Sequence, residues 1–148
     1  MTLQARIQED MKAAMRSGDK ERLGTIRLIM AAIKQREIDE RITLDDIQLL
    51  GVLDKMGKQR RESMAQFQAG GRADLVAKEA AELAIISSYL PTPLAAAELD
   101  ALIEEAIAQV GATSIKDMGK VMAQIKSKAQ GRADMAEVGT RIKARLSS

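Results

Sequence analysis

The chain contains no cysteine and no histidine. Without cysteine no disulfide can form, which fits a reducing compartment. Zinc centres built on Cys or His are excluded, and so are Ser-His-Asp and Cys-His nucleophilic triads. Aromatic residues are almost absent: Phe67 and Tyr89 are the whole set. The core must therefore be aliphatic, and single-stranded bases would find almost no ring to stack on. No apolar run is long enough to cross a membrane. The first nine residues, with Arg6 and Glu9 among them, do not read as a signal peptide. These absences predict a cytoplasmic protein with no membrane partner, no metal and no cofactor.

What is present is helix-forming. The 148 residues are 46% apolar and 30% charged, enough for one ordinary domain or two small ones. Every long segment repeats at the helical period and none alternates like a strand. Leu3, Ile7, Met11 and Met15 mark a first helix that stops at Gly18-Asp19. Leu23, Ile26, Met30 and Ile33 mark a second. Thr43-Leu44-Asp45-Asp46 reads as a capping box opening a third, which carries Ile47, Leu50, Leu53 and Met56 and runs on to Phe67. Gly70-Gly71 ends it. Leu75, Val76, Leu83, Ile86 and Leu90 mark a fourth.

Pro91-Thr92-Pro93 is the sharpest break, because two prolines in three residues remove backbone donors and disfavour a continuing helix. A domain boundary is expected here. Beyond it, Leu99, Leu102, Ile103, Ala106 and Val110 form a fifth helix stopped at Gly111. Ser114 is a candidate cap for a sixth helix, whose apolar face is Ile115, Met118, Met122 and Ile125. Met135, Val138, Ile142 and Leu146 form the last. The expected fold is all-α and multihelical in two domains: a four-helix unit over 1–90, a linker at 91–93 and a three-helix unit over 94–148. Gly-Arg-Ala-Asp occurs twice, at 71–74 and 131–134. In each copy Gly is read as closing one helix and Asp as opening the next.

The net charge of +2 is unevenly spread. Residues 94–111 hold four acids and no base, whereas residues 112–148 hold eight bases and three acids. A basic segment of this kind points to an anionic partner such as nucleic acid. The candidate phosphate contacts are Lys116, Lys120, Lys126, Lys128 and Arg132. Lys116 and Lys120 stand four apart and are expected to share a helix face, and Arg141, Lys143 and Arg145 could extend the basic surface. Ser114 and the first-turn amides could receive a phosphate oxygen. Gly119 sits among these lysines as either a point of close approach or a helix crossing. A second basic set, Lys55, Lys58, Arg60 and Arg61, lies on the third helix. Lys58 and Arg61 are its candidate RNA contacts. The alternative is ion pairing, since folding about Gly70-Gly71 sets Arg60 and Arg61 opposite Glu79 and Glu82. The carboxylate pairs Asp45/Asp46, Glu79/Glu82 and Glu104/Glu105 read as caps and polar faces. No catalytic residue is assigned among them, nor to Ser87, Ser88 or Tyr89.

Taken in order, several blocks resemble the GatB/YqeY family over essentially the whole chain. They are Leu28-Ile29-Met30-Ala31-Ala32-Ile33-Lys34, Lys58-Gln59-Arg60-Arg61-Glu62-Ser63, Gly71-Arg72-Ala73-Asp74-Leu75, Glu79-Ala80-Ala81-Glu82-Leu83, Tyr89-Leu90-Pro91, Lys116-Asp117-Met118-Gly119-Lys120-Val121-Met122 and Gly131-Arg132-Ala133-Asp134. The resemblance implies the same two helical domains. It also implies kinship with the tail of the GatB subunit of tRNA-dependent amidotransferase, where a similar region helps recognise tRNA and the chemistry belongs to the catalytic body. Ala95 stands where the family usually has a capping Ser, so the fifth helix is expected to begin at Thr92-Pro93. Gly57 replaces a bulkier residue and puts the straightness of the third helix in question.

The expected function is a non-catalytic tRNA-binding module. The alternatives are a protein-interaction adaptor for an aminoacyl-tRNA synthetase or amidotransferase, suggested by nine methionines, and, by homology alone, a carbon–nitrogen ligase using glutamine as amido donor.

Overall fold

The computed structural model describes residues 1–147 and divides the chain into two compact units, Met1–Leu90 and Pro91–Ser148. All described regular structure is helical: α1 (Leu3–Ser17), α2 (Lys20–Glu40), α3 (Asp46–Ala69), α4 (Ala73–Ser87), α5 (Ala96–Val110), a 3-10 turn (Ile115–Asp117), α6 (Met118–Ala129) and α7 (Met135–Leu146). The multihelical all-α architecture expected from the periodicity is observed. None of these helices is long and apolar enough to cross a membrane.

In the first unit α3 and α4 form the most extensive helix pair, and α1 and α2 pack beside them. The core gathers Ile7, Ile26, Ile29, Ile33, Leu49, Leu53 and Ile86. Each fully buried side chain of this size contributes about 1.5–3 kcal/mol. The periodic stripes named part of this set. Ile29, Leu49 and Val52 are core residues outside those stripes, while Met15 is 54% exposed and Ala14 takes its place.

Several helix ends depart from expectation. The cap of α3 is Asp45, not Thr43. Its carboxylate accepts the Gln48 N–H at 2.8 Å, and the Gln48 Oε1 accepts the Asp45 N–H at 3.0 Å. Asp46 is thereby free to accept the Leu3 N–H at 3.1 Å, which ties the start of α1 to the start of α3. α3 is continuous through Gly57. A Cβ there would stand 3.6 Å from Leu83 Cδ1, an ordinary contact. α5 begins at Ala96 and not at Pro93; Glu98 reaches back to the Ala95 N–H at 3.1 Å and supplies half of the missing cap.

Tyr89 is buried beneath α1. Its hydroxyl donates to the Asp10 carboxylate at 2.6 Å, and the Arg6 guanidinium lies 5.0 Å from its ring centre. Burial first, and then this hydrogen bond to Asp10, push its pKa up to about 12.

In the second unit α5, α6 and α7 enclose Leu99, Ile103, Val121, Ile125, Val138 and Ile142. The proline segment is laced to the second Gly-Arg-Ala-Asp copy. Arg132 Nε donates to the Thr92 carbonyl and the Leu94 N–H donates to the Arg132 carbonyl, both at 2.8 Å. In this copy Gly131 has φ +80° and Asp134 caps α7 through the Ala136 N–H, as read from the sequence. The first copy differs: Asp74 lies inside α4 and pairs with Arg72 at 3.0 Å instead of capping.

Candidate nucleic-acid interface

The basic residues of the second unit lie on a 3-10 turn, α6 and α7. Ile115 does not share an apolar face with α6, because the α-helix starts only at Met118; Ile115 is 42% exposed on the separate 3-10 turn. Lys116 is on that turn as well. The expectation that Lys116 and Lys120 share one α-helical face is therefore corrected: they sit on consecutive elements with different periods.

Asp117 decides what the start of α6 can bind. Its carboxylate accepts the N–H groups of Thr113 and Ser114 at 3.0 and 3.4 Å. The Thr113 bond chiefly, with help from Ser114 and from the charge of Lys120, holds this carboxyl below its ordinary range. A carboxylate of the chain thus stands beside Ser114 and takes its backbone N–H.

Gly119 is the second residue of α6, exposed, with no atom within 4 Å of where a Cβ would stand. It is not a helix crossing. Gly139 of α7 does have a neighbour: Met118 Cε lies 3.4 Å from its Cβ position. Lys120 and Lys126 are exposed on α6 and, among the described residues, have no salt-bridge partner. The same holds for Lys116 on its turn. Lys128 is paired with Glu105 of α5 at 3.6 Å. Arg132 is half-buried and holds the Thr92 carbonyl. Lys143, one turn beyond Gly139 on the same side of α7, is exposed and likewise has no salt-bridge partner among the described residues.

The other cations of α7 face acids. Arg141 bonds Asp100 at 2.9 Å and Glu137 at 3.0 Å, and these bonds raise its pKa. Arg145 pairs with Glu104 and with Asp100. The acidic segment and the basic segment of the sequence are therefore halves of one folded unit. Pro91–Ser148 carries eight bases and seven acids, and the first unit fifteen and fourteen, so each has a net charge of +1. The basic excess is not a property of the domain. Lys116, Lys120, Lys126 and Lys143 are the cations of this unit left exposed with no salt-bridge partner among the described residues.

Lys58 and Arg61 lie exposed on α3 of the first unit and form a separate group. Arg61 lies over Gly57, with Nη1 3.8 Å from its Cβ position, and does not meet Glu79 or Glu82. Arg60 takes both. Its Nε donates to Glu82 at 2.6 Å and stands 3.4 Å from Glu79 Oε2. The Glu79 contact is close enough for an ion pair but not aligned for a hydrogen bond. All three side chains are less than one-fifth exposed. The remaining carboxylate pairs are used as caps or ion pairs, and the Ser88 hydroxyl donates to the Ile85 carbonyl. No described group of acidic side chains converges as a metal site would require.

A family model described as Yqey-like protein matches residues 4–146. Relatives bearing the name "Altered inheritance of mitochondria protein 41, mitochondrial" are similar over much of the chain. The Eremothecium gossypii protein is 38% identical over 82% of this chain and 68% of its own length. The Pyrenophora tritici-repentis protein is 34% identical over 86% and 71%. The Kluyveromyces lactis protein is 41% identical over 57% and 46%, so there the match spans about half of the relative. Each name carries a mitochondrial designation, which overturns the expectation of a cytoplasmic location. The match of nearly every residue to one model, with these relatives, establishes that the chain belongs to the YqeY-like protein family.

Proposed function

We propose that this chain is a non-catalytic helical module that binds the phosphate backbone of a folded RNA, with tRNA as the ligand. The observation that supports this reading is the segregation of charge in the second unit. Asp100, Glu104, Glu105 and Glu137 pair with Arg141, Arg145 and Lys128, which leaves Lys116, Lys120, Lys126 and Lys143 exposed with no salt-bridge partner among the described residues. Four exposed lysines suit phosphates, and the near absence of aromatics favours recognition of backbone and shape over stacked bases. Gly119, open to solvent, leaves room for the close approach of a strand. Catalysis has no place in the reading, because the candidate carboxylates serve as caps and ion pairs.

The test is a titration of tRNA at two salt concentrations with wild type and a Lys116→Glu/Lys120→Glu/Lys126→Glu variant. Each lysine that no longer neutralises a phosphate should lower the salt dependence of log K by about 0.7–0.9. Equal affinity and equal salt dependence for the two proteins overturn the proposal.

A further inference from the structure

The outward face of α2 repeats like half of a coiled coil. Gly24, Leu28, Ala31, Gln35 and Ile38 follow one another at spacings of four, three, four and three residues, and line one side of the helix, with Leu28 and Ile38 the large apolar residues on it. The opposite face of α2 already supplies Ile26, Ile29 and Ile33 to the core. The helix is thus apolar on two sides, and its weak amphipathicity follows from that. Leu28 is 46% exposed and Ile38 61%, both on this one side of the helix. Beside this seam lies a groove of about 520 Å³ between α2 and α3, lined by Ala32, Gln35, Val52, Lys55 and Met56 among others. At Gly24 and Ala31 the surface is low, and a second helix can pack closely there.

We propose that this face docks an amphipathic α-helix of another protein, with apolar residues at heptad positions and acidic residues along one flank. The flank is read from charge. Arg27 and Lys34 stand one heptad apart beside the seam, both exposed and, among the described residues, without an ion-pair partner. Flanking charges set partner choice in such pairings. The same flank disfavours a second copy packed antiparallel, since a two-fold axis sets like flank against like flank. Gln35 is a polar residue within the seam, of the kind that fixes register in paired helices, and its amide donates to Asp39 at 2.8 Å. This surface belongs to the first unit, and the lysines assigned to RNA belong to the second.

The experiment uses the full chain and a designed three-heptad peptide with leucine at the seam positions and glutamate on the flank. A control peptide carries lysine on the flank. Wild type should bind the glutamate peptide and not the lysine peptide, with heat capacity falling on binding as apolar surface is buried. Leu28→Glu/Ile38→Glu should abolish binding, with circular dichroism unchanged because both residues are already exposed. Arg27→Glu/Lys34→Glu should weaken the glutamate peptide by about tenfold or more and exchange the preference between peptides. Four results overturn the proposal: no measurable binding of the glutamate peptide, equal binding of both peptides, displacement of the peptide by tRNA, or wild-type self-association that Leu28→Glu/Ile38→Glu abolishes. tRNA titration of the same variants separates this outcome from that of the RNA reading.

Discussion

The two units carry the same net charge and place it differently. In the first, one arginine serves two glutamates in the seam between α3 and α4, with all three side chains mostly withdrawn from water. In the second, two arginines serve three acids on a surface where the partners are 32–67% exposed. Ion pairs of the same chemistry therefore have different worth. Removing a charge from a desolvated group leaves its partners uncompensated, while exposed pairs are screened and lose side-chain entropy. The first arrangement secures a helix pair. The second pairs exposed charges between α5 and α7 and leaves Lys116, Lys120, Lys126 and Lys143 with no ion pair among the described residues.

The largest expected effect breaks the buried side of this contrast. Arg60→Ala should destabilise the first unit by about 2–3 kcal/mol in urea unfolding, because Glu79 and Glu82 then share a dry seam with no cation. A loss below about 0.5 kcal/mol would place this triad with the surface pairs.

Next is alkaline pH. The folded-state pKa of Tyr89 lies above the unfolded one, so the folded state holds a proton that the unfolded state releases between the ordinary value of 10.0 and about 12. The associated stability is complete below pH 10 and is lost as pH rises through that window, by about 2 kcal/mol. Tyr89→Phe should remove this pH dependence. Persistence of the full slope in the variant would assign it to another group.

On the exposed side, Arg141→Ala and Arg145→Ala should each cost less than about 1 kcal/mol. Their more telling effect is on binding: freeing Asp100 and Glu104 while removing cations should weaken tRNA association. A stability loss as large as that of Arg60→Ala would erase the contrast between the units.

The smallest effect has the opposite sign. Gly119→Ala places a methyl group in open space within a helical turn and should stabilise the second unit by about 0.5 kcal/mol. If the glycine admits a strand, the same variant binds tRNA more weakly. Unchanged affinity with raised stability would leave Gly119 no part in binding.

Much of this architecture is legible in the residues alone, and particular positions show where legibility stops. Gly18 and Gly111 end α1 and α5 in the left-handed conformation that their positions announce. The Arg60 pairing follows from a short turn folding α3 onto α4. Arg61 does not share it, because neighbours in sequence point to different sides of a helix. Ile115 falls outside the α6 face because a 3-10 turn and the first turn of an α-helix present the same local pattern. The candidate site is half legible: Lys116, Lys120 and Lys126 are exposed as expected, but Lys128 and Arg132 have partners that only folding could supply. Lys143 is ambiguous in sequence, since a basic last turn also suits the helix dipole.

By itself, then, the sequence determined that this protein is helical, aliphatic in its core, broken at Pro91-Thr92-Pro93, and without thiol or imidazole chemistry. Those properties depend on residue type and on neighbours within a turn or two. The tertiary structure decided which charges are left over. A window that begins after α5 looks strongly basic, and the acids that balance it come from a helix that folds against α6 and α7. Which lysines remain free, and which apolar face of α2 stays uncovered, are properties of packing between helices distant in the chain, and no local pattern encodes them.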